Sequence, residues 1–215
     1  MKKQLLILVL CLSFGLTVNA QDAYVAAMQK ELAQMQTAAS AQDLQKVANG
    51  FARISEMAQG EWLPDYYAAL ALVNAGFRTQ GGLEVKDALY AQAKKHADKA
   101  AKTSANNSEI TALQGYIIMA ELAADPNSRG QHLSGLAMQT FGKAIEQNRQ
   151  NPRALVLMAQ MELGMAQFFG QGPEKACGLA DASLALFEKE AAEKESRLTP
   201  TWGKENALEL KSRCK

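Results

Sequence analysis

The chain has 215 residues, of which 48% are hydrophobic and 21% are charged, a composition typical of an ordinary globular protein. Lys and Arg together number 23 and Asp and Glu number 22, so the formal net charge is +1. Because nucleic-acid-binding proteins usually carry a basic excess, this balance argues against a nucleic-acid partner. Two histidines and three cysteines leave little material for metal chemistry.

The first 20 residues have the pattern of a secretory signal peptide. Two lysines and the apolar run Leu5–Leu12 precede a stretch that ends in a small residue at Ala20. The run is shorter than the 18 or more residues that a membrane span needs, and Cys11 lacks the small preceding residue of a lipoprotein signal. We therefore expect cleavage after Ala20, leaving residues 21–215 as one domain that is periplasmic or secreted and has no membrane span.

Apolar residues recur at helical spacing along the rest of the chain, whereas strict alternation is not sustained anywhere. Gly81–Gly82, Asp125–Pro126, Asn151–Pro152 and Gly170–Pro173 are turn signals between the apolar stripes. This pattern predicts an all-α protein of stacked antiparallel helix pairs, with eight main helices and a C-terminal capping helix. The eight stripes start at Tyr24, Leu44, Trp62, Val85, Ile110, Leu133, Leu155 and Leu179.

A weak internal repeat accompanies these helices. Ala137, Phe141 and Ala144 have the spacing of small and aromatic residues found in the second helix of a tetratricopeptide repeat. Ala93–Ala100 repeats this spacing about 44 residues earlier, with a small residue in the aromatic slot. Across residues 41–192 the chain thus resembles a tetratricopeptide-repeat-like protein, although its period exceeds that of the family and the Trp-Leu-Gly-Tyr signature of the first helix is missing.

Two further segments, Asn151–Ala176 and Pro200–Gly203, are similar to small exported repeat proteins of Bacteroidetes-type bacteria. This likeness favours a Gram-negative periplasm. The repeat resemblance as a whole implies binding rather than catalysis, because helical-repeat proteins present a concave surface to their partners.

Residues suited to catalysis are few. His96 lies in a charged helical stretch and His132 at a helix start, and we expect both at the surface. Glu61 and Asp65 are four residues apart and could mimic a general-acid pair, but their position at a helix start suits the helix dipole better. The spacings of zinc ligands and of a phosphate-binding loop are missing. We predict no catalytic, cofactor-binding or metal residues, no cofactor and no enzymatic activity.

Two cysteines remain after signal cleavage, in a compartment that permits disulfides. A bridge between Cys177 and Cys214 would fasten the C-terminal segment to the last helix pair, worth about 4 kcal/mol by chain entropy. Two buried free thiols or an intermolecular bridge are the alternatives. Trp202 is the candidate apolar plug at the end of the helix stack.

These observations predict a non-catalytic scaffold that binds a protein or peptide partner. The first helix of each pair would line its groove, with Tyr67, Asn74 and Gln114 as candidate groove residues. The alternative is a periplasmic accessory protein that binds a small molecule or a lipid in a cavity between helices. A scaffold should leave an exposed concave patch, whereas a ligand carrier should enclose an apolar pocket.

Overall fold

The structure is a computed structural model that describes residues 21–193 and 198–214. The predicted signal peptide, residues 1–20, lies outside the described residues. Within the described ranges the chain forms nine helices and no strands, which confirms the predicted all-α class. The helices are α1 (21–37), α2 (Ala41–Met57), α3 (Leu63–Arg78), α4 (Leu83–Thr103), α5 (Ser108–Ala124), α6 (Pro126–Gln147), α7 (Pro152–Phe169), α8 (Glu174–Ala192) and α9 (Lys204–Ser212).

The helices are stacked in pairs. Helix α4 packs on α3, α6 on α5 and α8 on α7, and short turns make each pair antiparallel. Helices α3, α5, α7 and α9 also contact one another in that order. The first helices of the pairs therefore form one continuous layer, and the N-terminal side of this layer is closed by α2 packing on α3.

Helix starts follow from short polar side chains that accept otherwise unpaired backbone N–H groups. Ser40, Asn107, Asp125 and Asn151 do this at the starts of α2, α5, α6 and α7. Pro152 is the first residue of α7, where its missing N–H costs nothing. The predicted turns are therefore the observed helix boundaries.

Glycines in the first helix of a pair admit aromatic rings from the second helix. A Cβ atom added to Gly115 would lie 2.4 Å from Cε1 of Phe141, and one added to Gly76 would lie 2.2 Å from Cε1 of Tyr90. Both rings are almost fully buried. The spacing around Phe141 that produced the repeat resemblance thus marks the close approach of α5 and α6.

In the described part of the chain, no helix is both long and apolar enough to cross a membrane.

Replacing Gly115 with Ala should destabilise the protein. The added methyl group would force the Phe141 ring out of its position, and such overpacking costs about 1–3 kcal/mol of unfolding free energy. Gly135→Ala in α6 is the matched control, because this exposed glycine has open space around its Cα. The control should gain about 0.5–1 kcal/mol from helix propensity. Urea denaturation of both variants measures the difference, and equal effects would contradict this account of the helix pair.

Candidate functional site

A groove of about 420 Å³ crosses the layer formed by α3, α5 and α7. Its walls are mainly apolar, with amide groups and two guanidinium groups among them. The lining residues are Asn74, Phe77 and Arg78 from α3, Tyr116, Met119 and Ala123 from α5, Gln160 from α7, and Arg213 beyond the end of α9.

Two stacked aromatic rings line this groove, and a third ring stacks on one of them. The ring centroids of Phe77 and Tyr116 are 5.6 Å apart with an interplanar angle of 28°. Those of Tyr116 and Trp202 are 5.7 Å apart with an angle of 22°. We call Phe77, Tyr116 and Trp202 the aromatic row. Trp202 was expected to plug the end of the helix stack, but it lies against the middle of the layer, on α5.

The two aromatic residues that line the groove differ in exposure. Phe77 is 44% exposed, whereas Tyr116 is only 9% exposed. The Tyr116 hydroxyl lies 3.5 Å from Oδ1 of Asn74, at the outer limit of a hydrogen bond. Burial raises the pKa of Tyr116 to about 12. Its hydroxyl therefore stays protonated at neutral pH, and the groove offers a phenol rather than a phenolate.

The two arginines of the groove are free of carboxylate partners within the described residues. Arg78 donates a hydrogen bond from Nη1 to the carbonyl oxygen of Ala38 at 2.5 Å. Arg213 is exposed and forms no ion pair with a described residue. Elsewhere, by contrast, Arg129 and Arg153 each bind carboxylates at close range. The groove therefore keeps two cationic groups available for an anionic ligand.

The buried side chain of Arg153 helps to hold Trp202, the residue at one end of the aromatic row. Arg153 is 2% exposed, and its guanidinium donates to Glu109 at 2.7 Å and to both carboxylate oxygens of Glu190. Nη1 of Arg153 also lies 3.5 Å from the carbonyl oxygen of Trp202. The indole Nε1 of Trp202 donates to the hydroxyl of Tyr66 at 2.8 Å, and this hydroxyl donates to Glu109. Trp202 is thus held through its backbone and through its ring.

The charges of this cluster are set by burial and by their mutual contacts. Burial raises the pKa of the Glu109 carboxyl, although the Arg153 guanidinium opposes the rise. Burial would lower the pKa of Arg153, but the hydrogen bonds and charges of Glu190 and Glu109 raise it well above its ordinary value. Arg153 therefore stays charged, and the cluster is built around a permanent cation.

The structure brings one of the three predicted groove residues, Asn74, into the groove. Tyr67 is buried instead, stacked on Phe51, and its hydroxyl donates to the carbonyl oxygen of Leu198 at 2.9 Å. Gln114 turns toward α4, where Nε2 donates to Asp98 at 3.1 Å. Neither of these two side chains lines the groove.

Sequence reasoning misses most of the groove lining. Phe77 and Tyr116, the two aromatic residues of the lining, are not among its candidate groove residues. A usable signal exists, because Asn74 and Phe77 are three residues apart on α3, as Tyr116 and Met119 are on α5, so each pair shares a helix face. No comparable signal exists for Arg213, which reaches the groove through the packing of α9.

Cys177 and Cys214 are joined by a disulfide, with their Cα atoms 5.9 Å apart. Cys177 lies in the first turn of α8, and Cys214 follows the end of α9. The bond thus fastens the end of α9 to α8. Because Cys214 directly follows Arg213, the bond also anchors the residue next to Arg213.

A second polar cluster lies away from the groove, between α2, α3 and α4. Asp65 is 1% exposed, and its carboxylate lies 2.7 Å from Nδ1 of His96 and 2.5 Å from Oγ of Ser55. Nζ of Lys99 lies 3.4 Å from this carboxylate and donates to Ser55 at 2.7 Å. His96 is therefore half-buried and bonded to Asp65, whereas the sequence led us to expect it at the surface. His132, in α6, is exposed as expected.

This cluster does not have the order of a catalytic triad. In a triad the histidine lies between the nucleophile and the acid, whereas here Asp65 lies between Ser55 and His96. In the described ranges, no group of three His, Cys, Asp or Glu residues is arranged to hold a metal ion. The cluster is best understood as a structural link between three helices.

Comparison with known proteins identifies a similar solved structure. No protein-family model and no curated protein matches this chain. Among solved structures, the fold is similar to that of the HusA haemophore from Porphyromonas gingivalis, with a TM-score of 0.78 and 28% sequence identity. The match covers 89% of this chain and 92% of that chain. It therefore extends over most of both chains.

This similarity corrects one prediction and bears on three others. The predicted protein or peptide partner is wrong, because the similar structure is that of a haemophore, which by its name carries a small molecule. A haemophore is a binding protein rather than an enzyme, and its source is a bacterium of the Bacteroidetes. The assignment to tetratricopeptide-like repeats finds no family match and stays a prediction.

Replacing Asp65 with Asn should remove a pH-dependent part of the stability. Burial opposes ionisation, but hydrogen bonds from His96 and Ser55 and the charge of Lys99 lower the pKa of Asp65 below its ordinary value of 3.8. A carboxyl with a lowered pKa stabilises the fold above the ordinary value, and this stability is lost as the pH falls through the lowered one. At pH 7 the loss should be about 3 kcal/mol.

Denaturation of the wild type and of Asp65→Asn at several pH values measures this effect. The gap between them should shrink as the pH falls below about 4. Asp181→Asn is the control, because Asp181 forms an exposed ion pair with Lys211 and should cost less than about 1 kcal/mol. A gap that widens as the pH falls below about 4 would contradict the assigned role of Asp65.

Proposed function

We propose that this protein is an exported, non-catalytic carrier of a flat, apolar small molecule with carboxylate groups, of the porphyrin class that includes haem. The observation that carries this proposal is the groove itself, in which stacked aromatic rings adjoin two arginines without carboxylate partners among the described residues. The proposal takes up the small-molecule alternative that the sequence left open.

The chemistry of a porphyrin fits the lining of the groove. Its faces are flat and apolar, which suits stacking against the exposed ring of Phe77 and contact with the Met119 side chain. Its carboxylates lie along one edge, where Arg78 and Arg213 can form charge-assisted hydrogen bonds. The groove volume of about 420 Å³ falls within the range of small-molecule sites, about 300–1,000 Å³.

The similarity to a haemophore supports the same class of cargo. It extends over nearly the full length of both chains, so the layer that forms the groove is part of the shared fold. The sequence alternative placed the ligand in a cavity between helices, whereas the groove is an open surface of one helix layer. An open groove lets a bound molecule leave without separation of the helix pairs.

The groove can recognise a porphyrin by its ring face and its carboxylates. This recognition does not require a histidine that coordinates the iron. The sequence contains two histidines; His96 is bound to Asp65 and His132 lies on the surface of α6. Neither lines the groove. The raised pKa of Tyr116, about 12, disfavours a phenolate ligand. We infer that the porphyrin ring, rather than its iron, supplies most of the affinity.

Export is the other part of the proposal. The predicted signal peptide, with cleavage after Ala20, would deliver the chain to the periplasm or to the outside of the cell. A carrier needs this location if it collects a molecule that the cell does not make inside. Detection of a mature N-terminus at Gln21 in the culture supernatant or the periplasmic fraction would test this step.

Replacing Phe77 with Ala should weaken porphyrin binding. The variant loses one ring of the aromatic row, and burial of a Phe side chain is worth about 1.5–3 kcal/mol, or at least about tenfold in affinity. Phe168→Ala is the matched control, because Phe168 is 84% exposed and does not line the groove. Its affinity should equal that of the wild type.

Binding can be followed by the fluorescence of Trp202, which belongs to the aromatic row and stacks on Tyr116. The sequence contains two tryptophans, so a Trp62→Phe background leaves Trp202 as the reporter. Titration with protoporphyrin should quench its emission. Unchanged affinity in Phe77→Ala, or an equal loss in Phe168→Ala, would argue against the groove as the binding site.

Removing the iron should change the affinity little. Since histidine is missing from the groove lining, metal-free protoporphyrin and its iron complex should bind within about tenfold of each other. The same fluorescence titration compares the two ligands, with a zinc complex as a third. Binding of the iron complex alone would show that a metal ligand has been overlooked and would refute recognition through the ring.

A further inference from the structure

The two groove arginines have different surroundings. Arg78 belongs to the last turn of α3 and is held by its hydrogen bond to Ala38. Arg213 lines the groove and also a second recess of about 150 Å³ between α7 and α9. Gln160 is the other residue that lines both cavities. The recess therefore continues the groove, and Arg213 lies at the junction.

The recess is more polar than the groove. Three amide side chains are among its walls, and Glu209 of α9 lies one turn before Arg213. Because Glu209 would repel an anion, a carboxylate should approach Arg213 from the groove side. The lining residues are Gln160, Leu163, Gly164, Gln167, Asn206, Glu209, Leu210 and Arg213.

Apart from the disulfide and the exposed ion pair of Lys211 with Asp181 in α8, few contacts hold the chain at Arg213. Leu210 is the last buried residue of α9 at 3% exposure, and the three residues after it are exposed. Cys214 comes next and is bonded to Cys177 in α8. The exposed end of α9 is thus pinned on both sides of Arg213, by Leu210 before it and by the disulfide after it.

We propose that the Cys177–Cys214 disulfide positions Arg213 at the junction, where Arg213 binds one carboxylate of the cargo. This inference rests on the proposed function, since it assigns a role within the same groove. Without the bond, the residues beyond Leu210 can fray in the manner of a chain terminus. Binding of a carboxylate by Arg213 would then have to order both a long side chain and a loose backbone. The conformational entropy lost in this way would weaken the binding. Arg213 is the binding residue and the disulfide acts through it.

The test uses two ligands that differ in their carboxylates alone. Protoporphyrin carries them, and its dimethyl ester, added from dimethyl sulfoxide, does not. Affinities are measured by fluorescence for the wild type, for Arg213→Gln, for the double variant Cys177→Ser with Cys214→Ser, and for the combination of all three changes. Lys204→Gln is the control for loss of a positive charge on α9, since Lys204 lies at the opposite end of this helix from Arg213 and lines neither cavity.

Arg213→Gln and the cysteine double variant should each weaken protoporphyrin binding about tenfold, the value of one charge-assisted hydrogen bond. The combination should be no worse than either change alone, because both remove the same contact. All variants should bind the ester as the wild type does, and Lys204→Gln should bind both ligands normally. Circular dichroism of the cysteine variant checks that the helices are intact.

Other outcomes would overturn the inference in recognisable ways. If the cysteine variant binds protoporphyrin like the wild type while Arg213→Gln is weakened, the disulfide does not position the arginine. Equal weakening for the ester and the acid would mean that the bond maintains the shape of the groove instead. Wild-type protein that binds neither ligand would refute the proposed function itself, and this inference with it.

Discussion

The buried guanidinium of Arg153 is the constraint on which the arrangement of the C-terminal half depends. A charge with 2% exposure is tolerated only when it is fully paired, because desolvation of an unpaired ion is prohibitive. Glu109 from α5 and Glu190 from α8 supply the pairing, and the carbonyl of Trp202 supplies a further acceptor. Two helices and a connecting segment are therefore brought to one point. Hydrophobic packing alone is non-directional and would not select this geometry.

The C-terminal segment gains its place in the groove through two separate attachments. Arg153 and Tyr66 hold Trp202 against Tyr116, which sets one end of the aromatic row. The disulfide holds the end of α9, which carries Arg213. Gly203 joins the two parts with a φ of 106°, a conformation that residues with side chains rarely adopt. The groove is thus an arrangement of helices completed by the end of the chain.

The sequence predicted the helices well because their signals are local. Apolar periodicity, the glycine turn at Gly81–Gly82 and the proline after Asn151 act within a few residues, so they can be read without knowing the fold. The groove could not be predicted in this way. Tyr67 and Tyr116 are both aromatic residues on first helices of pairs, yet one is covered by Leu198 and Phe51 while the other lines the groove. That difference is made by residues far away in the chain.

The error over the partner has a physical explanation in the polar groups of the groove. A concave layer of first helices suggested a peptide-binding surface, but an extended peptide carries an N–H and a C=O at every residue, each of which needs a partner when buried. Apart from its two arginines, the groove offers mainly the amides of Asn74 and Gln160 among apolar and aromatic walls. Such a surface leaves most of a peptide backbone unsatisfied. It suits a ligand whose polar groups lie at one edge, with two flat faces that need no hydrogen bonds.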